Sequence, residues 1–455
     1  MFDKKHLEGK KALVIGAGKS GISCAKLLKR KGFAVFLSEE KKLEAASLKK
    51  QLGREIPFET GGHSEKVFAC DFAVKSPGIK PKERIIRALK QRKIPIFSEV
   101  EVAASMMPET KILAITGSNG KTTTCFLLSA MLKADGKRVH LCGNLGVPVS
   151  KVAMSARKGD FLVMEISSYQ LADSTYFKPH ICALLNIEPD HLAHHQGFAN
   201  YIKAKSRIFK FQDKSNFCII NRQLEKFLNT AAFRSKKLFF SLEKKKSEAI
   251  YDGKNIRVFF KGVSVKFPPP KNLKGLHNVE NAMAAILMAL AAGCKKENMR
   301  KTLIKFKPVE HRLEKFCEAH GVVFINDSKS TNPTSTLAAL KALSAKGGKK
   351  IHLILGGRDK GASYKILLDE IRRCVKKIYT IGEAQRKIEN QLSGSCQIVS
   401  CTNLRKAVKR IFENISRNEI VLFSPACASF DQFRNFEHRG KIFKKMIKQV
   451  YAKKK

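Results

Sequence analysis

The sequence predicts an α/β fold of three domains, with boundaries at 1–100, 101–307 and 308–455. Three observations predict it. Short apolar runs alternate with helix-like segments, fresh strand starts recur near residues 111 and 308, and two of the strands run straight into glycine loops that open helices.

Taken in order, Lys11–Ile15 (KALVI) reads as a strand, Gly21–Lys31 as a helix and Ala34–Ser38 as a second strand, which is βαβ patterning and implies a Rossmann-like parallel sheet. The second domain starts at the strand Lys111–Thr116, followed by a glycine loop and a helix over Thr122–Leu132. Further strands are expected at Phe161–Glu165 and Ile181–Asn186, giving a P-loop-type ATPase domain with a mixed or parallel sheet. Phe267–Lys271 holds three consecutive prolines and reads as an extended linker or edge. The third domain, again Rossmann-like, starts near Pro308–Arg312 and places strands at Val322–Asn326, Ile351–Leu355, Lys377–Ile381 and Ile420–Phe423.

Composition narrows the function classes. With 44% hydrophobic and 28% charged residues, the 455-residue chain is neither disordered nor fibrous. Its longest apolar stretch, Asn281–Cys294, is too short to span a bilayer, and the N-terminus lacks a signal-peptide core, so a cytoplasmic protein is expected. The twelve cysteines are scattered without metal or disulfide spacing. The formal net charge of +48 is spread along the whole chain, whereas a nucleic-acid protein concentrates its basic residues on one face.

The first glycine loop, Gly16-Ala17-Gly18-Lys19-Ser20-Gly21, satisfies the dinucleotide fingerprint after a strand, with Glu39 beyond the next strand. The pattern only requires a diphosphate, which UDP carries as well as NAD does, so its ligand stays open. The second loop is more specific. Gly117, Ser118, Asn119 and Gly120 join a strand to a helix that begins Lys121-Thr122-Thr123. Loop amides can cradle phosphates, Lys121 can neutralise the β and γ oxygens, and the Thr122 hydroxyl can ligate Mg²⁺. ATP is therefore expected here, although the loop is shorter than a standard P-loop.

Glu165 ends a strand, where open α/β sheets bind ligands, and His191 follows another. In the third domain Asp327, Lys329 and Thr331 follow one strand, Lys360 a second and Ser429 a third. Cations and hydroxyls at one sheet edge suit a dicarboxylate amino acid.

The second loop resembles that of the Mur ligases, which build the peptide stem of the bacterial cell-wall precursor, and of their relatives the folylpolyglutamate synthetases. The resemblance extends in order along nearly the whole chain. It implies that Thr122, Glu165 and His191 hold Mg²⁺ with a carbamate formed from CO₂ on Lys205 of the segment YIKAKSRIF, Lys203 being the nearby rival. Asn278 and Asn281, in a stretch similar to the family's HNxxNAxAA motif, are implied to contact the nucleotide, and Arg312 to reach the transferred phosphate together with Asp327. Gly18, Lys19, Ser20, Ser76, Pro77, Gly78 and Asn144 fall on the UDP-substrate side, with Ser38 and Glu39 competing for the uracil-side position. The segments LGGRDKG and SPACASFDQFRNFEHRG resemble the D-glutamate-adding branch and imply that Lys329, Thr331, Lys360, Ser429 and Phe436 hold D-glutamate. The implied reaction is ADP-forming: Lys121, His191, Lys205 and Arg312 serve phosphorylation of UDP-N-acetylmuramoyl-L-alanine at its carboxylate, and the amino group of D-glutamate then attacks the acyl phosphate. A monomer acting on small molecules, with no specific nucleic-acid partner, is the corresponding expectation.

Overall fold

The computed structural model describes residues 10–452 apart from 81, 145, 191–194, 244–245, 274, 308–309, 344–347 and 349. It divides into two compact units: residues 1–269 with 279–305, and residues 270–278 with 306–455.

The first unit opens with five parallel strands, β1 (Lys11–Ile15), β2 (Ala34–Glu39), β3 (Phe58–Thr60), β4 (Phe72–Lys75) and β5 (Ile96–Ser98), in the order β3-β2-β1-β4-β5. Within β1, Ala12–Ile15 form a continuous buried apolar run because helices cover both faces of a parallel sheet. Its helix Lys19–Arg30 buries Cys24, Ala25, Leu27 and Leu28, and ends on Lys29 and Arg30, whose charges complement the helix C-terminus. The order reverses between β1 and β4. The glycine loop after β1 and Ser76 after β4 therefore meet at a topological switch point, where such sheets bind ligands.

Nine strands form the second sheet of this unit. They are β6 (Lys111–Thr116), β7 (Val139–Gly143), β8 (Phe161–Glu165), β9 (Ile181–Leu184), β10 (Phe217–Asn221), β11 (Lys236–Ser241), β12 (Ala249–Tyr251), β13 (Ile256–Phe260) and β14 (Val263–Phe267). The order is β14-β13-β12-β11-β10-β9-β6-β8-β7, with the β12–β13 and β13–β14 pairings antiparallel and the rest parallel. One apolar cluster runs from Leu28 and Phe72 through Val100 and Val149 to Met164 and Phe209, so the two sheets share a core. Polar contacts fix their alignment. The buried Lys75 pairs with Asp173 at 2.6 Å, and the buried Glu99 carboxylate accepts the Ser150 N–H at 2.7 Å. Burial raises the pKa of Glu99, opposed by the Ser150 hydrogen bonds.

The second unit carries β15 (Glu314–Ala319), β16 (Val322–Asn326), β17 (Ile351–Gly356), β18 (Val375–Ile381), β19 (Gln397–Ser400) and β20 (Ile420–Phe423), in the order β15-β16-β20-β17-β18-β19. Only β15 is antiparallel. Apolar clusters cover both faces of this sheet, one around Leu353 and Ile378, the other around Phe324, Phe423 and Phe443.

Glycine is required where helix and loop touch at the switch point. A Cβ on Gly21 would lie 1.8 Å from the Gly16 carbonyl oxygen, whereas one on Gly18 would meet nothing within 4 Å. Gly21→Ala should therefore cost about 1–3 kcal/mol of stability, and Gly18→Ala no more than about 0.5 kcal/mol. Thermal unfolding of both variants checks this; equal midpoints would refute the close-approach account.

Candidate functional site

Strand order brings three loop segments to one edge of the second sheet. Strand β6 lies between β8 and β9, so the loop 117–120, Glu165 and the segment 185–190 converge at their carboxyl ends. The loop is held from the β9 side. Ser118 N–H donates to Asn186 O at 3.0 Å, Asn119 N–H to Asn186 Oδ1 at 2.7 Å, and Asn119 Nδ2 to Glu188 Oε2 at 2.7 Å. Gly120 turns the chain at φ +83°, where a Cβ would lie 2.1 Å from Asn281 Oδ1. Asn281 Oδ1 also accepts the Thr124 hydroxyl at 3.3 Å, so this predicted nucleotide residue abuts the loop itself. Asn278 is buried near the start of the same helix, Leu276–Ala291.

Two predicted metal ligands meet directly. Thr122 Oγ1 donates to Glu165 Oε2 at 2.6 Å, and Asn144 Nδ2 donates to Glu165 Oε1 at 2.9 Å. Asn144 thus holds the carboxylate oxygen of Glu165 that Thr122 does not. The adjacent Thr123 hydroxyl is buried with no hydrogen-bond partner among the described residues.

Lys205 is buried on the helix Phe198–Ser206, and its ammonium donates to Gly117 O at 2.9 Å. Lys121 Nζ donates to the same carbonyl at 2.7 Å and to Ser118 O at 2.8 Å. Burial first, and Lys121 second, drive the Lys205 pKa well below the usual lysine range, against the pull of Asp190 and Glu165. Lys203, two residues earlier on the helix, is exposed and has no such contact among the described residues. His191 lies outside the described residues.

The residues present suit Mg²⁺ and a triphosphate. Hydroxyl and carboxylate oxygens are hard donors, the next residue, Thr123, has a buried hydroxyl without a partner among the described residues, and a lysine is placed on the loop. Residues that sequence reasoning passed over complete the cradle. Tyr201 OH bonds Ser118 Oγ at 2.9 Å while its ring lies 4.7 Å from Lys205 Nζ. The spacing of Tyr201 and Lys205, one helical turn apart, is the signal that could have found it.

In the first sheet, Gly18, Lys19 and Ser20 open the helix after β1, and Ser76-Pro77-Gly78 follows β4. Both uracil-side rivals are internally bonded. Glu39 Oε2 accepts the Ala17 N–H at 2.7 Å, while the buried Ser38 hydroxyl lies 2.7 Å from Glu59 Oε1 and 2.6 Å from His63 Nδ1.

In the second unit, adjacent strands β16, β20 and β17 bring the loops with Asp327 to Thr331, Ser429 and Lys360 to one sheet edge. Lys329 Nζ stands 5.2 Å from the Phe436 ring centroid. Ser429 is buried, Thr331 half-buried and Lys360 exposed. Arg312 sits between His311 at φ 65° and Leu313 at φ 42°, left-handed conformations that cost non-glycine residues energy. Asp327 Oδ1 accepts the Leu313 N–H at 3.1 Å and Glu314 Oε2 accepts the His311 N–H at 2.9 Å, so the strained segment is pinned from both sides.

The chain that builds this site, a short glycine loop with a hydroxyl–carboxylate pair and a buried lysine beside it, matches known protein families. Residues 115–289 match the Mur ligase middle domain, 311–427 the Mur ligase glutamate ligase domain and 11–85 the MurD N-terminal domain. The chain belongs to the Mur ligase family. Its relatives include the UDP-N-acetylmuramoylalanine--D-glutamate ligase of Elusimicrobium minutum, 45% identical over 99% of this chain and 100% of that protein. The enzyme of the same name from Koribacter versatilis is 39% identical over 99% of each chain. Among solved structures, MurF from Acinetobacter baumannii shares the fold with a TM-score of 0.63 at 19% identity, covering 98% of this chain and 93% of its own. The UDP-N-acetylmuramate-alanine ligase MurC from Thermotoga maritima does so with 0.60 at 18% identity, covering 97% and 100%.

Asp327 gives this site a measurable signature. Burial raises its pKa to about 6, against the Ser424 hydrogen bond and Arg312. The folded state then holds the proton more tightly than the unfolded chain, so the stability from this group is full below about pH 4 and lost as pH rises through 6. Relative to Asp327→Asn, the unmodified protein should lose about 3 kcal/mol between pH 4 and pH 7. Denaturant unfolding across that range checks it; a constant difference would refute the shift.

Proposed function

We propose that this chain is an ADP-forming ligase that joins D-glutamate to UDP-N-acetylmuramoyl-L-alanine through an acyl phosphate, in peptidoglycan precursor synthesis. The names of relatives up to 45% identical support the substrates. The Thr122–Glu165 pair, beside a lysine-bearing phosphate loop, carries the chemistry.

A carboxylate resists attack by an amine until its oxygen is converted into a leaving group. ATP on residues 117–123, with Lys121 neutralising phosphate oxygens, would present its γ-phosphoryl group to the alanyl carboxylate. Mg²⁺ held by Thr122, Glu165, His191 and a carbamate on Lys205 would neutralise the charge of that transfer. Burial lowers the Lys205 pKa and so favours the neutral amine that carbamate formation needs: its nitrogen attacks CO₂, a C–N bond forms and one proton leaves. The oxygen-rich anion then suits a hard cation, which an ammonium would repel.

The remaining assignments follow the chain. Residues 1–100 would hold the UDP moiety through Gly18, Lys19, Ser20, Glu39 and Ser76 to Gly78, with Asn144 between that moiety and Glu165. Residues 101–307 would hold ATP, helped by Asn278 and Asn281. Residues 308–455 would supply Arg312 and Asp327 to the nucleotide, and Lys329, Thr331, Lys360, Ser429 and Phe436 to D-glutamate. Arg312 can bind two phosphoryl oxygens at once, which a lysine does less well. No described helix is long and apolar enough to cross a membrane. We place the enzyme in the cytoplasm and read it as a monomer.

Two measurements test this reading. In an amino-acid panel, ADP release dependent on UDP-N-acetylmuramoyl-L-alanine should occur with D-glutamate alone; release with L-lysine or diaminopimelate instead would overturn the specificity. Lys205→Ala should lose at least about a hundredfold in kcat and recover part of it with a short-chain carboxylate in the buffer. Recovery at no concentration would count against the carbamate.

A further inference from the structure

The second sheet carries another concave site, at the opposite edge from the nucleotide loop. That loop follows the carboxyl end of β6, whereas this cavity lies at the amino ends of β10 and β11, where Phe217 and Lys236 pair as first residues. Antiparallel β13 returns to the same edge and delivers Phe260, Lys261 and Gly262. The cavity holds about 750 Å³, within the range of small-molecule sites.

Its lining combines rings with uncompensated charge. Phe217 and Phe260 lie 6.4 Å apart, with the Lys236 ammonium 5.3 Å from the first ring centroid and that of Lys261 5.7 Å from the second. Leu238 and Ile250 add apolar wall, and Lys246 a third ammonium. Glu248 is the acid of the lining, and one of its carboxylate oxygens already accepts the Phe239 N–H at 2.6 Å. Among the described residues none of the three lysines is in an ion pair. Phe259, 48% exposed, stands at the rim.

Each half of this chemistry excludes a class of ligand. A bare anion would gain only attraction that salt screens, leaving the rings in water. A neutral apolar molecule would cover the rings but leave three ammonium groups without a counter-charge. A flat ring system that carries an anionic group satisfies both, stacking on phenylalanine while its charge meets the lysines. We propose that this cavity binds a small aromatic anion, a carboxylate, sulfonate or phosphate on a planar ring system, at a site separate from the ligase centre.

Fluorescence titration of the full chain with anilinonaphthalene sulfonate tests this, with neutral phenylnaphthylamine and inorganic phosphate as comparison probes. Saturable one-site binding is expected, unchanged by saturating ATP and Mg²⁺, and stronger than that of either comparison probe. The double variant Lys236→Glu/Lys261→Glu should weaken it about tenfold or more, the loss of about 1.4 kcal/mol, with the melting temperature and ligase rate retained. Should that variant melt early, Phe259→Ala, which removes an exposed ring, should still weaken binding severalfold. Equal affinity in the folded variants, non-saturable uptake, or displacement by ATP would overturn the proposal. So would lysine-dependent sedimentation with phosphatidylglycerol vesicles in the absence of one-site dye binding, which would make this face a membrane contact.

Discussion

Two lysine side chains share one carbonyl oxygen. Lys121 and Lys205 both donate to Gly117 O, at 2.7 and 2.9 Å, in a place where Lys205 is buried. Two ammonium groups so close, taken out of water, cannot both keep their charge cheaply. Burial and the Lys121 charge together push the Lys205 pKa down, while Lys121 itself is less buried. Its burial sets Lys205 apart from the many solvated lysines of a very basic chain. Much else in the sheet serves to hold this arrangement. Asn186 and Glu188 fasten the loop from one side, Asn281 abuts Gly120, and Tyr201 links the Lys205 helix to Ser118.

The same economy appears around Arg312. The backbone on either side of it is left-handed at non-glycine residues, a conformation that persists only where surrounding contacts over-determine it. Asp327, Glu314 and Asn326 supply those contacts, and Asp327 does so at the cost of an unfavourable buried carboxylate. An arginine on so constrained a backbone would lose less freedom in gripping a phosphoryl group, the role proposed for it, which is the gain expected of pre-organisation.

The two glycine loops look alike in sequence and differ in how the protein uses their amides. In the first, the Glu39 carboxylate takes the Ala17 N–H, so an internal anion occupies part of the loop. In the second, amides are tied to Asn186, while the Thr123 hydroxyl is left without a partner among the described residues. Local pattern cannot distinguish these cases, because the deciding group arrives from another strand.

The strand-loop-helix punctuation was legible from residue order. Lys11–Ile15, Lys111–Thr116, Phe161–Glu165, Val322–Asn326 and Ile420–Phe423 are strands with the bounds that apolar patterning predicts, since parallel strands buried on both faces read as unbroken apolar runs. The hairpin β13–β14 and edge strand β15 escaped notice, because half-exposed antiparallel strands mix lysine, serine and glutamate into the pattern. Motif chemistry likewise named Thr122 and Glu165, and the family resemblance Lys205 and Arg312, without any coordinates. What only tertiary structure decided is which of these groups share a hydrogen bond and which lose water. Lys205 meets Gly117 across 88 residues of chain and Asn281 meets Thr124 across 157. Charge state, strain and the orphaned hydroxyl depend on such through-space neighbours and on burial, and sequence spacing encodes neither.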